Sequence, residues 1–216
     1  MEIKRKPVKH KSSSKRQIIR IVAGDFRHRH IHFVEAPDLR PTGARIRETL
    51  FNWLHPVIYG KTCLDLFAGS GILGFEALSR GAKHVTFVEK NRRAAQQIAQ
   101  NIKQLSIDNA TVRPGDYRQA LSGQYDIIFL DPPYALRLLP ILIEQVKPLS
   151  PEWLFIEDNR PIEDWLKHRT DYKLHRHKKA GHIYYGLLRA GRPSKYNRRT
   201  SSTLNHSVGL SKASNH

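Results

Sequence analysis

Four consecutive residues, Asp131-Pro132-Pro133-Tyr134, carry the most distinctive chemistry in the sequence. An exocyclic amino group on a nucleobase is a poor nucleophile, because its lone pair is delocalised into the ring. A carboxylate and a carbonyl that accept its two N–H hydrogens let the nitrogen rehybridise toward sp³. Asp131 supplies the carboxylate. The two prolines lock the turn, so that the Pro132 carbonyl can face the amine. Tyr134 supplies an aromatic face to stack on the base. Methyl transfer to such an amine is an in-line displacement that depends chiefly on positioning. Asp131 would orient the amine and then take its proton.

A second run supplies a place for the methyl donor. Leu64 to Gly74 reads LDLFAGSGILG, with Gly69, Gly71 and Gly74 in G-x-G-x-x-G spacing between a predicted strand and a predicted helix. Glycine lets the chain turn tightly and lets a ligand approach the backbone. Phe67, Ala68, Gly69 and Gly71 are the candidate loop contacts. Glu89 follows Gly69 by 20 residues, where a carboxylate can accept both hydroxyls of a ribose. A dinucleotide and S-adenosylmethionine both fit this outline. Asp65, four residues before the first glycine, would repel a pyrophosphate and favour the ammonium and sulfonium of S-adenosylmethionine. Asp116, after the next predicted strand, can accept from an adenine amino group, or it can be a surface-turn aspartate.

These groups must be carried on strand ends that converge. Gln17–Ala23 and Phe26–Phe33 read as a β-hairpin turning at Gly24-Asp25, with Arg27 and Arg29 available on one side. Residues 35–44 hold Pro37, Pro41 and Gly43 and form a loop. Thr42 is a candidate N-cap for a helix to about Leu54, with Ile46, Leu50 and Trp53 as its core stripe. Strands are predicted at Thr62–Phe67, His84–Glu89, Ala110–Arg113, Tyr125–Leu130 and Trp153–Ile156. Helices are predicted at Ile72–Arg80, Arg92–Leu105, Leu136–Val146 and Ile162–His168. Tyr172–His175 and His182–Leu188 follow without a long crossover, so they should pair antiparallel. The alternation predicts an α/β, Rossmann-like, mostly parallel sheet with helices on both faces. In such a sheet ligands bind beyond the carboxyl ends of the strands, which places the tetrad and the glycine loop in one crevice.

Charge points to the partner. The 216 residues hold 37 Lys+Arg against 19 Asp+Glu, a net +18. Residues 1–16 carry +6 and residues 172–216 carry +10, while 17–171 carry only +2. A nearly neutral body therefore has two basic ends. Residues 1–16 and 191–216 are poor in apolar side chains and read as disordered basic tails flanking one domain at 17–190. Neutralised phosphates release counterions, so such tails favour nucleic acid. The single cysteine, Cys63, excludes a disulfide scaffold and reads as a small core residue. No stretch approaches the roughly 20 apolar residues needed to cross a bilayer. A monomeric cytoplasmic protein is expected. A base inside a helix cannot reach the tetrad and must be flipped out. Arg27, Arg29, Arg40, Thr42, Arg45 and Arg47 are the candidates for holding its flanking backbone. His28, His30 and His32 alternate, but no cysteine or carboxylate cluster accompanies them, so no metal site is expected.

The chain resembles the bacterial 16S ribosomal RNA (guanine-N2) methyltransferases of the RsmD type. The matching runs are Arg20–Gly24, Leu39–Thr42, Arg45–Leu54 (RIRETLFNWL), Leu64–Gly74 with Glu76–Arg80, and Asp131–Tyr134. They run in order through residues 18–190. The resemblance implies a seven-stranded class I fold that uses S-adenosylmethionine. It implies methylation of a guanine N2 at nucleotide 966, in bacterial numbering, of the 16S rRNA in an assembled or partly assembled small subunit. By motif position the cofactor role falls on Asp65, Gly69, Gly71, Glu89 and Asp116, and the base-holding role on Asp131 to Tyr134. The Arg40–Glu48 segment would border the substrate mouth. Two features depart from the family: the basic ends, and Tyr134 where relatives carry Phe. The tetrad logic alone serves an N6-adenine methyltransferase equally well.

Overall fold

A computed structural model describes residues 16–34, 41–166 and 171–191. Nearly all of the two tails, residues 1–16 and 191–216, and Arg40, lie outside the described residues. The chain begins with an antiparallel pair, β1 (Arg16–Arg20) and β2 (His30–Val34), in the register Arg16↔Val34. Helix α1 (Ala44–Leu54) leads into a seven-stranded sheet. Its strands are β3 (Thr62–Asp65), β4 (His84–Glu89), β5 (Ala110–Pro114), β6 (Ile127–Leu130), β7 (Trp153–Asp158), β8 (Tyr172–Ala180) and β9 (Ile183–Ala190). Across the sheet the order is β5-β4-β3-β6-β7-β9-β8. Strands β3 to β7 are mutually parallel, and β9 lies antiparallel between β7 and β8. The expected mostly parallel sheet with an antiparallel closing strand is what forms.

Burial on both faces explains why the central strands read as unbroken apolar runs such as Ile-Ile-Phe-Leu in β6. Cys63, Phe87, Phe129 and Phe155 face one core, shared with α1, α2 (Ile72–Ser79) and α3 (Arg92–Gln104). Leu64, Ile128 and Leu154 face the other, under α4 (Leu139–Gln145). Cys63 is fully buried, and Trp153 nearly so. Trp53 is half-buried and stacks on Tyr185, with ring centroids 5.6 Å apart.

Three local expectations are corrected. Strand β1 stops at Arg20, and Phe26–Arg29 forms a turn whose backbone pairs back at Ile21, which donates to the Arg29 carbonyl and accepts from the His28 N–H, each at 3.0 Å. The N–H of Arg27 donates to the Gly24 carbonyl and that of Arg29 to the Phe26 carbonyl, each at 3.0 Å. Gly24 adopts φ +84°, and a Cβ there would lie 1.7 Å from the Ser79 carbonyl oxygen. The turn is thus tied to the end of α2. His28, in that turn, does not share a strand face with His30 and His32. No group of three or more metal-binding side chains occurs among the described residues. Second, Gly43, not Thr42, is the N-cap of α1. Third, the helix expected at 136–146 is two elements, a 3-10 turn at Tyr134–Leu136 and then α4. Arg137 breaks them apart at φ +48°, and Pro140 fits the first turn of α4.

Buried polar groups attach the N-terminal pair to the sheet domain. Arg47 is 3 % exposed. Its Nη1 donates to Glu76 Oε1 at 2.7 Å and to the Arg20 carbonyl at 3.1 Å, and its Nε donates to the Thr42 carbonyl at 3.1 Å. The N–H of Val22 also donates to Glu76 Oε1, and Arg80 pairs with Glu76 Oε2. Asn101 on α3 brackets His32, accepting its N–H and donating to its carbonyl.

Candidate active site

The carboxyl ends of β3, β4, β6 and β7 bring the predicted residues to one edge of the sheet. Asp65 closes β3 and is 2 % exposed. Its Oδ2 accepts the Gly74 N–H at 3.1 Å. Burial pushes its pKa up to about 7, against the opposing effect of that N–H, with Glu89 adding to the rise. Asp65 therefore lies beneath the loop and pins it.

Gly69, at φ +53°, and Gly71, at φ +79°, make the turn into α2 in the left-handed region that glycine tolerates. Gly74 serves packing: a Cβ there would lie 2.2 Å from the Phe87 ring. The N–H of Ala68 donates to the Val88 carbonyl at 2.9 Å, holding the loop against β4. Glu89 ends β4, with Oε2 accepting from Gly69 N–H at 2.7 Å and Oε1 from Asn91 N–H at 2.6 Å. Each carboxylate oxygen keeps a second lone pair, so Glu89 orders the loop and can still accept hydroxyls. The carbonyl of Glu89 accepts from Gly115 N–H, which sets Asp116 beside the same strand end. Asp116 is held by the N–H, Nε and Nη2 of Arg118, which draw its pKa down to about 2. Phe67 and Tyr117 pack beside it with centroids 5.1 Å apart. These residues fit a cofactor that is cationic at one end and a nucleoside at the other. Carboxylates line the crevice, and a glycine turn leaves its backbone open.

Asp131 follows β6 directly. Its Oδ2 accepts from the Thr42 hydroxyl at 3.1 Å. Thr42, which was expected to cap a helix or touch RNA, is buried and orients the candidate catalytic carboxylate. Burial, then the charge of Glu157, and to a smaller extent that of Asp65, raise the pKa of Asp131 well above the ordinary aspartate value. Pro132 is buried and Pro133 exposed. Tyr134 is half-buried, and its hydroxyl donates to Glu157 Oε1 at 2.5 Å. Glu157, 3 % exposed near the end of β7, is the site residue that motif reading missed. The available signal was an acid ending an otherwise apolar strand, Leu-Phe-Ile-Glu, at the ligand-binding edge.

The predicted RNA contacts divide. Arg45 is exposed on the first turn of α1, one helix start away from Thr42. Arg27 and Arg29 are exposed but sit by Ser79, at the end of α2 remote from the glycine loop. That is about 12 Å along the axis for an eight-residue helix. Arg47 is corrected outright, because its guanidinium is spent on the buried Glu76 pair and cannot reach a polyanion.

Comparison with known proteins accords with this arrangement. The family described as "Conserved hypothetical protein 95" matches residues 19–189. Ribosomal RNA small subunit methyltransferase D of Escherichia coli (strain K12) is 40% identical over 177 residues, covering 78% of this chain and 88% of that protein. The solved structure of yhhF from Escherichia coli superposes with a TM-score of 0.72 at 37% identity, over 81% of this chain and 98% of that one. A Streptococcus mutans structure described as a SAM-dependent methyltransferase shares the fold alone. Its TM-score is 0.63 at 15% identity, over 81% of this chain and 55% of that one. The sheet order, the glycine turn and the Asp131 tetrad thus sit on a class I S-adenosylmethionine-dependent methyltransferase fold, and the chain belongs to the family of the ribosomal RNA small subunit methyltransferases D.

Proposed function

We propose that this protein methylates the exocyclic N2 amine of a guanine in 16S rRNA, at the position numbered 966 in bacteria, within the small ribosomal subunit or its assembly intermediate. The observation that carries the reading is the Asp131 carboxylate, held by Thr42 at the carboxyl edge that also bears the glycine turn. The rRNA methyltransferase relatives support the substrate class.

The cofactor supplies a methyl group on a sulfonium, an electrophile that needs only an aligned nucleophile. The Gly69–Gly71 turn would hold its amino-acid end, Glu89 its ribose and Asp116 its adenine. Asp131 and the Pro132 carbonyl take the two hydrogens of the amine, which frees the nitrogen lone pair for attack. As the new N–C bond forms, the methyl group's bond to sulfur would break to leave a neutral thioether, and Asp131 accepts the proton displaced from the amine. Burial and the neighbouring Glu157 strengthen its hold on that proton. Tyr134 stacks on the base, which must leave its helix to enter. Arg45, beside the entrance, is placed to hold flanking phosphate.

The test is transfer of labelled methyl from S-adenosylmethionine to unmodified small subunits, followed by digestion to nucleosides. Label in N2-methylguanosine is expected. Label in N6-methyladenosine would overturn the choice of base.

A further inference from the structure

We infer that Glu157 selects guanine, its carboxylate accepting the ring N1–H of the target base. The inference rests on the guanine-N2 reading above and names the residue that enforces it. Guanine and adenine both offer an exocyclic amine to Asp131. They differ beside it: guanine N1 carries a hydrogen, whereas adenine N1 carries a lone pair. A site that distinguishes them needs an acceptor next to Asp131, fixed and not already consumed.

Glu157 meets those conditions. Leu130 of β6 is in register with Ile156 of β7, so Asp131 and Glu157, one residue further on each, are cross-strand neighbours. Adjacent strands place them about 5 Å apart. Both project to the face of Phe129 and Phe155, and Glu157 is in register with the buried Tyr185 on its other side. Its Oε1 is taken by the Tyr134 hydroxyl, which fixes the carboxylate. Its Oε2 is buried with no hydrogen-bond partner, and it is the one carboxylate oxygen in that condition among the described residues. Leaving such an acceptor unmatched is costly. A base entering between Asp131 and the Tyr134 ring would supply the missing donor. Presented with adenine, the same oxygen meets a lone pair and is left unmatched.

The decisive substitution is Glu157→Gln. The Tyr134 hydroxyl would keep a carbonyl oxygen at the Oε1 position, so the amide nitrogen replaces Oε2 and turns an acceptor into a donor. The probe is 2-aminopurine, which retains the 2-amino group but has a lone pair at N1. Small subunits are reconstituted with 16S rRNA carrying guanine or 2-aminopurine at the target nucleotide, and kcat/KM is measured for each. The wild-type enzyme should prefer guanine by about 100-fold or more, as for a buried group that loses its partner. Glu157→Gln should lower that ratio by about tenfold or more relative to the wild type while binding S-adenosylmethionine as the wild type does. 2-Aminopurine also lacks the guanine carbonyl, but that loss is common to both enzymes and cancels in the comparison. An unchanged ratio in Glu157→Gln, or a wild-type enzyme indifferent to the two bases, would overturn the role of Glu157 alone. Failure of the wild-type enzyme to methylate guanine N2 would overturn the underlying reading with it.

Discussion

Three acids at one sheet edge, the buried Asp65 and Glu157 and the half-buried Asp131, have their proton affinities raised. Burial alone opposes their charged forms; a cation in the crevice would restore them. For Asp65 the sign can be worked through. Its ordinary value of 3.8 is raised to about 7, so below neutrality it is largely protonated and offers a sulfonium no charge. Above neutrality it is ionised. Cofactor affinity should therefore rise with pH, by roughly tenfold between pH 6 and pH 8 as the ionised fraction grows. Calorimetric titration with S-adenosylmethionine checks this, and Asp65→Asn should flatten the profile. The linked effect on the ligand-free fold is opposite, since Asp65 keeps its proton to higher pH when folded and the stability it lends is lost as pH rises toward 7. Asp65, Gly69 and Asp131 were legible as residues because their spacing is local. Glu157 was not, because its role depends on the register between β6 and β7.

At the scale of elements, the N-terminal pair shows how a basic side chain in a motif misleads. Arg47 lies among RNA-facing candidates in sequence, yet helical geometry turns it inward to meet Glu76 of α2 and the Arg20 carbonyl. In a helix Leu50, Phe51 and Leu54 lie three, four and seven residues beyond Arg47 and so share its side, and all three are buried. That side was the available warning. Glu76 is fully buried and serves Arg47, Arg80 and the Val22 N–H together. Glu76→Ala would leave the Arg47 guanidinium buried without its counter-charge. The expected loss is about 3–5 kcal/mol of stability, read from chemical denaturation. An effect within the scatter of surface substitutions would show that the network does not anchor the N-terminal pair. The glycine loop was readable for a related reason. Its three glycines answer separate local demands: Gly69 and Gly71 the turn, and Gly74 contact with Phe87.

For the whole molecule, alternating strands and helices gave the parallel sheet directly, because a strand–helix–strand connection returns the chain to the sheet in the same direction. What the pattern could not supply was the insertion of β9 between β7 and β8, a long-range pairing with no local signature. The charge distribution is the other molecular property that sequence carries in full: a body near neutrality with basic ends, suited to a large polyanion. In the proposed mechanism the reaction depends on one carboxylate at the edge of β6, placed by Thr42 and crowded by Glu157. The most direct measurement is single-turnover methyl transfer to unmodified small subunits by Asp131→Asn, with cofactor affinity measured in parallel. An asparagine keeps the shape and the bond from Thr42 but cannot take a proton. The expected rate is lower by about 10²–10⁴-fold with S-adenosylmethionine binding retained. Transfer within tenfold of the wild-type rate would contradict the proposed mechanism.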